Sequence, residues 1–287
     1  MSPSSSIILT ECPRDAMQGW PHFIATEKKV AYLNSLLQVG FDTIDFGSFV
    51  SPKAIPQMAD TKEVLAQLNM DHTTSKLLAI VANVRGASEA VAHEQISYLG
   101  FPFSISPTFQ QRNTNSTMEE SVARVEEIQG LCIKHGKTLV IYLSMGFGNP
   151  YGDLYNEEIL LHWAEEMARK EISIISLADT VGLATPEQVS AALRAVIPQY
   201  PQVSFGVHLH STATNWRNKL EAAVAAGCLR FDGALKGIGG CPMAQDELVG
   251  NMTTEYMVDY FNEKGKTLRL NQDALAHSLQ LANSVFI

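Results

Sequence analysis

The sequence predicts an α/β fold, a single (β/α)8 TIM barrel with its active site at the C-terminal ends of the strands. Three observations carry this reading. Eight short, apolar, β-rich runs recur along the 287 residues, and amphipathic helical stretches separate them. No glycine-rich turn follows the first run, as a doubly wound dinucleotide-binding sheet would require. The runs are SIILTEC (6–12), TIDFGSF (43–49), LLAIVAN (77–83), YLGFPFSIS (98–106), TLVIYLSM (138–145), ISIISLAD (172–179), SFGVHLH (204–210) and RFDGAL (230–235). Most are apolar throughout rather than alternating, the pattern of parallel strands covered on both faces.

The helical stretches carry their own punctuation. Residues 26–40 place Val30, Leu33, Leu36 and Leu37 at helical spacing and stop at Gly40. In 116–136, Ser116 and Glu119 have the spacing of a capping box, and Gly136 closes the helix. In 185–201, Thr185 precedes Pro186 at the first helical position. Residues 215–228 and 253–266 read as further helices. The connection between the third and fourth runs is short for a full helix. No low-complexity linker interrupts the series, so residues 1–287 read as one barrel domain.

Composition narrows the setting. Hydrophobic residues at 46% supply a globular core, and 18% charged residues argue against disorder. The net charge of −9 gives no support for binding nucleic acid or an anionic membrane. An anionic substrate therefore needs a local basic site. Cys12, Cys132, Cys228 and Cys241 are widely spaced with no CxxC pair, which points to a reduced, cytoplasmic chain rather than a disulfide framework. The N-terminal MSPSSSIILTE lacks the features of a secretory signal, and no apolar run reaches the roughly 18 residues of a membrane span.

Ionisable residues concentrate at the expected strand ends. Glu11, Arg14 and Asp15 follow the first strand, Asp45 and Ser48 belong to the second, and Asp179 and Thr180 end the sixth. His208 and His210 lie two apart on the seventh and so face the same side. After the eighth come GIGGCP (237–242), with Cys241, and Asn251. Imidazoles, carboxylates and a carboxamide on one rim form a nitrogen/oxygen donor set suited to Mg²⁺ or Mn²⁺. Each residue also has a plain structural reading. An HxH pair can be satisfied by core neighbours, Arg14 can pair with Asp15 or Asp45, and Cys241 can pack as a small residue. The glycines before Cys241 favour a loop that moves as a lid. The other six histidines fall mainly in helices or loops and read as surface residues, His22 being the one that follows the first-strand motif.

The segments TECPRDAMQ, IDFGSFVSPKAIPQMAD, SLADTVGLATP, FGVHLH and GIGGCPMAQDELVGNMTTE, in this order, resemble the 3-hydroxy-3-methylglutaryl-CoA lyases. These are metal-dependent barrels of a larger lyase/synthase/aldolase superfamily. The resemblance runs from about residue 7 onward. It implies a divalent metal held by Asp15, His208, His210 and Asn251, and a catalytic set of Arg14, Asp15, His208, Asp179 and the loop residue Cys241. It implies substrate contacts at Gln18, Asp45, Ser48 and Glu255. It further implies an acyl-CoA substrate, cleavage to acetyl-CoA and acetoacetate, and a homodimer.

The sequence departs from the family pattern around the substrate. Asp45 stands where a glutamate is usual, Ser211 where the residue after the histidine pair is commonly acidic, and Ala16 where glycine follows the Arg-Asp pair. Asn149, Pro150 and Tyr151 replace Cys-Pro-Tyr, and the spacing from Cys241 to Asn251 is one residue longer. Two other readings stay open. One is an aldolase or CoA-dependent condensing synthase on the same scaffold; such synthases commonly carry extra C-terminal sequence, which favours lyase or aldolase. The other is a metal-binding barrel without catalysis, against which Arg14 and Cys241 argue.

Overall fold

The computed structural model describes residues 6–240, 249–266 and 268–287. Eight parallel strands close into one barrel: β1 (Ile8–Glu11), β2 (Thr43–Ser48), β3 (Lys76–Ile80), β4 (Ile96–Ser104), β5 (Thr138–Ser144), β6 (Ile174–Asp179), β7 (Ser204–Leu209) and β8 (Arg230–Gly233). Each strand pairs with its sequence neighbours, and β8 returns to β1 with Ile8 opposite Arg230 and Glu11 opposite Gly233. The expected TIM barrel is the fold.

Strand periodicity explains why the runs looked uniformly apolar. In β5, Leu139, Ile141 and Leu143 pack outward into the main core beneath the helices. Their alternates Val140 and Tyr142 join Leu78, Ile80 and Ile174 in a second, smaller cluster. Both faces are thus buried, and the inward set fills the barrel interior rather than lining a pore. At the opposite end Gly206 makes room for Arg230: a Cβ there would meet the Arg230 side chain at 2.8 Å.

Eleven α-helices surround the barrel among the described residues: α1 (Pro13–Gln18), α2 (Thr26–Leu37), α3 (Thr61–Leu65), α4 (Val84–Ala90), α5 (Pro107–Thr114), α6 (Met118–Lys134), α7 (Glu157–Arg169), α8 (Pro186–Gln199), α9 (Trp216–Ala225), α10 (Thr254–Glu263) and α11 (Gln272–Val285). Thr185 caps α8 as expected, in a reciprocal box with Gln188. On α6 the box sits one residue later than expected. Thr117 Oγ1 accepts from Glu120 N–H, because Ser116 is buried and spends its hydroxyl on Ser121 at 2.7 Å. The third strand ends at Ile80, short of the expected 83, because Asn83 instead caps α4 by accepting from Gly86 N–H at 2.9 Å. That seven-residue helix is what fits the short β3–β4 connection. Helix α11, not anticipated, lies outside the strand–helix repeat and packs on α2, with Ser278 and Ser35 hydroxyls 2.9 Å apart. No helix among the described residues is long and apolar enough to cross a membrane.

Glu11 ends β1 on the outward side, in the same parity as core residue Leu9. It is fully buried, accepts from Leu235 N–H at 2.8 Å and from Thr254 Oγ1 at 2.6 Å, and so ties β1 to the segment after β8 and to α10. Burial pushes its carboxyl up to about 8. The folded chain therefore keeps a proton that the unfolded chain releases between about pH 4.5 and 8, and the stability contributed below that window is lost as pH rises through it. Urea unfolding across pH 5–8 should show stability falling by at most about 1.4 kcal/mol per pH unit from this group. Glu11→Gln should flatten that slope, and an unchanged slope in the variant would assign it to other groups.

Candidate active site

Helix α1 begins directly after β1, with Pro13 in its first turn, and this abrupt start turns Arg14, Asp15 and Gln18 over the C-terminal mouth of the barrel. They line a cavity of about 140 Å³ together with Ser48 on β2, Tyr142 and Ser144 on β5, Thr180, and both His208 and His210. The two histidines share a face, as strand parity requires, with ring centroids 5.3 Å apart. The remaining wall is apolar and includes Val50, Ile55, Ile80, Pro102 and Phe109.

Charge is organised around Arg14. Its Nε lies 3.0 Å from Asp45 Oδ2, its Nη2 2.5 Å from the same oxygen, and its Nη1 3.0 Å from Asp15 Oδ1. Burial works against the guanidinium charge, but Asp45 and Asp15 outweigh it and hold Arg14 protonated. Three of the five guanidinium N–H groups are thereby committed, and two remain for a ligand. Asp15 also accepts from Gln18 at 2.7 Å and from Asn251 Nδ2 at 2.7 Å. Burial tends to raise the Asp15 carboxyl, yet Arg14, His208 and His210 hold it at about 2. It is an anion at any physiological pH.

Asp15, His208 and His210 each present a ligand atom within 4.8 Å of the others. Asn251 reaches the same place because residues 250–254 are stitched to two strand ends: Ser211 N–H to Gly250 O, Met252 N–H to Leu209 O, and Ala234 N–H to Met252 O. The approach is close. A Cβ at Gly239, whose φ is +121°, would lie 2.2 Å from Asn251 Nδ2 and 3.1 Å from Asp15 Oδ2. His210 Nδ1 lies 2.9 Å from the Thr180 carbonyl, which can only accept, so Nδ1 carries the proton and Nε2 the lone pair. Burial and the adjacent His208 push His210 down to about 4, and the ring is neutral.

Of the buried side-chain atoms without a partner among the described residues, two meet at this site: His210 Nε2 and Asn251 Oδ1. An unsatisfied buried polar atom costs about 1–3 kcal/mol, so a pair of them in one place marks a site for a ligand. Both are lone-pair donors and neither can donate a proton, beside a fixed carboxylate. That donor set fits a divalent cation with oxygen and nitrogen ligands.

The other expected site residues have different placements. Asp45 lies behind Arg14 rather than against the cavity, its carboxylate consumed by the guanidinium. Asp179 faces away from the cavity. It receives Lys219 Nζ at 2.7 Å and Ala184 N–H at 3.0 Å, while Lys219 also donates to the His210 and Gly182 carbonyls. Its parity is opposite to that of Ala178 and Thr180, which do line the cavity. Glu255, in the first turn of α10, accepts from Lys236 N–H at 3.0 Å and holds the base of the β8–α10 segment instead of reaching the cavity. Cys241 lies outside the described residues. Sequence reasoning missed Tyr142, Phe109, Asn113 and Asp232. Parity along β5 and β8 could have found Tyr142 and Asp232, and Ser106 before Pro107 marks the start of α5, which carries Phe109 and Asn113.

A family model described as HMGL-like matches residues 6–282. The chain belongs to the HMGL-like family. Within it, hydroxymethylglutaryl-CoA lyase YngG of Bacillus subtilis (strain 168) is 32% identical over 255 residues, 88% of this chain and 84% of the relative. (R)-citramalyl-CoA lyase of Chloroflexus aurantiacus is 31% identical over 277 residues, 93% of this chain and 87% of the relative. The structure of an HMG-CoA lyase from Acinetobacter baumannii in complex with coenzyme A and 3-methylmalate superposes with a TM-score of 0.91 at 31% identity, covering 100% of this chain and 93% of that one. These family members are named as lyases of CoA esters.

The Lys219–Asp179 pair fixes the ends of β6 and β7 from behind, where both side chains are at most 2% exposed. Removing one partner strands a buried charge, so Lys219→Met should lower stability by about 3–5 kcal/mol in urea unfolding. A loss below about 1 kcal/mol would mean that Asp179 finds another partner.

Proposed function

We propose that this chain is a divalent-metal-dependent carbon–carbon lyase of 3-hydroxyacyl-CoA esters, cleaving 3-hydroxy-3-methylglutaryl-CoA to acetyl-CoA and acetoacetate. One observation carries the metal dependence: the orphaned His210 Nε2 and Asn251 Oδ1 beside the ionised Asp15. Asp15, His208, His210 and Asn251 would hold the metal. When bound, Mg²⁺ or Mn²⁺ supplies Lewis acidity that lowers the pKa of the substrate hydroxyl.

The chain's own groups account for the rest. The hydroxyl proton passes to Asp15, a carboxylate at the cavity wall. The C2–C3 bond breaks, the new carbonyl leaves as the keto acid, and the electron pair of the bond becomes the thioester enolate. The two uncommitted N–H groups of Arg14 stabilise the enolate oxygen, from a guanidinium already locked by Asp45. Cys241, which the family resemblance places in the catalytic set, would donate its thiol proton to C2 and complete acetyl-CoA. Ser48 and Gln18, which line the cavity, position the acyl group. A cytoplasmic setting suits the free, buried thiols of Cys12, Cys132 and Cys228. The homodimer implied by the family resemblance belongs to the same reading and is checked by sedimentation equilibrium.

Cleavage of (R)-citramalyl-CoA is the second reading, favoured by a relative of that name at 31% identity over 93% of the chain. The same bond logic there releases pyruvate with acetyl-CoA. Purified protein with Mg²⁺ or Mn²⁺ should therefore be assayed against both thioesters and against 4-hydroxy-2-oxo acids. Acetoacetate release supports the first reading and pyruvate release from the thioester the second. Turnover of the oxo acids alone would place the chain among the aldolases. EDTA should abolish activity, and added metal restore it.

Arg14→Met should lower turnover at least a hundredfold, on the order of an oxyanion-donor loss, while Mn²⁺ affinity changes less than tenfold. An equal loss of both would give Arg14 a purely structural task beside Asp15. Cys241→Ala should leave the melting temperature near that of the parent and lower turnover at least tenfold, about 1.4 kcal/mol in barrier. Normal turnover in that variant would remove the thiol from the reaction.

A further inference from the structure

Asp232 sits inside the barrel on β8, in the layer directly below the cavity, and is 4% exposed. Its Oδ2 lies 3.3 Å from His208 Nδ1 and 3.5 Å from Ser176 Oγ. It is absent from the cavity wall, so it reaches the site only through His208. The Cys12 thiol lies within 4.8 Å of both Asp232 and His208, and it is fully buried.

We infer that Asp232 is a positioning residue that holds His208 in the Nδ1–H tautomer and aims Nε2 at the cluster with Asp15 and His210. The inference rests on the metal reading above. With Asp232 Oδ2 as the acceptor, a hydrogen bond from Nδ1 fixes the proton there and leaves the lone pair on Nε2. The Tyr142 ring stands edge-on to His208, with centroids 5.9 Å apart and planes at 85°, and limits rotation of the imidazole. The two histidines thus use one device with different acceptors. His210 donates to the Thr180 carbonyl, which substitution cannot remove, whereas His208 donates to a side chain that substitution can. Partners of this kind typically contribute 10–100-fold in metal affinity.

Asp232→Asn is the informative change. The carboxamide keeps the shape but can turn its NH2 toward Nδ1, which would place the imidazole proton on Nε2 and remove the ligand lone pair. Mn²⁺ titration followed by electron paramagnetic resonance should show affinity 10–100-fold weaker than the parent, with an unchanged melting temperature. In metal-free protein, ¹⁵N shifts of His208 should report the Nδ1–H tautomer in the parent and its loss in the variant. Turnover should recover at saturating Mn²⁺, since Asp232 touches no substrate. Asp232→Ala should weaken Mn²⁺ binding similarly. Parent-like affinity and tautomer in Asp232→Asn would overturn the inference, as would failure of both variants to fold, which would make Asp232 purely structural. A parent that binds no Mn²⁺ at all would instead overturn the metal reading itself.

Discussion

A guanidinium buried at the mouth of a barrel has to be answered by carboxylates, and that requirement organises this protein. Arg14 cannot leave water without Asp45 and Asp15, and each carboxylate fixes something further. Asp45 anchors the start of α1 to β2. Asp15 draws in Gln18 and Asn251, and Asn251 brings the segment after β8 onto β7. A single cation thus sets the relative positions of the first, second, seventh and eighth strands at their functional ends. The two anions around one cation leave the cluster net negative before the histidines are counted, which is the electrostatic state that favours a second cation nearby.

The architecture was legible because barrel strands are buried on both faces and so write themselves as apolar runs of the right length and number. Boundaries were less legible where a polar residue could serve either neighbour. Asn83 reads equally as a strand end or a helix cap, and only the 2.9 Å bond from Gly86 decides it. Ser116 and Thr117 offer two frames for the same capping box, and burial of Ser116 selects the second. Helix α11 was missed because nothing in a strand–helix repeat calls for an additional helix covering α2.

At the site, residue type and chain position picked out Arg14, Asp15, Ser48, His208 and His210 as mouth residues, and each lies at the cavity. They could not tell an acid that faces the cavity from one that faces its back. Asp179 and Thr180 are adjacent in sequence, yet strand geometry sends the first to Lys219 and the second to the cavity. Lys219 itself was invisible as a partner, since its meeting with Asp179 spans forty positions and depends on how α9 packs. Glu11 failed for the same reason as Asp179: a carboxylate at a strand end is not thereby a carboxylate at the mouth.

The Asp15–Asn251 hydrogen bond joins residues 236 positions apart, across the seam where β8 meets β1. The donors nearest that seam come from the two ends of the barrel, and His208 and His210 come from the strand just before it. A ribosome-bound chain with six strands emerged therefore holds only Asp15, and one with seven adds His208 and His210 but still lacks Asn251. On the proposed metal reading, high-affinity capture of an ion would wait for ring closure, and an ion bound there would act as a clasp on the seam. Loss of the ion would be felt first as opening between β8 and β1, so hydrogen exchange along that seam becomes a gauge of occupancy independent of any chemistry.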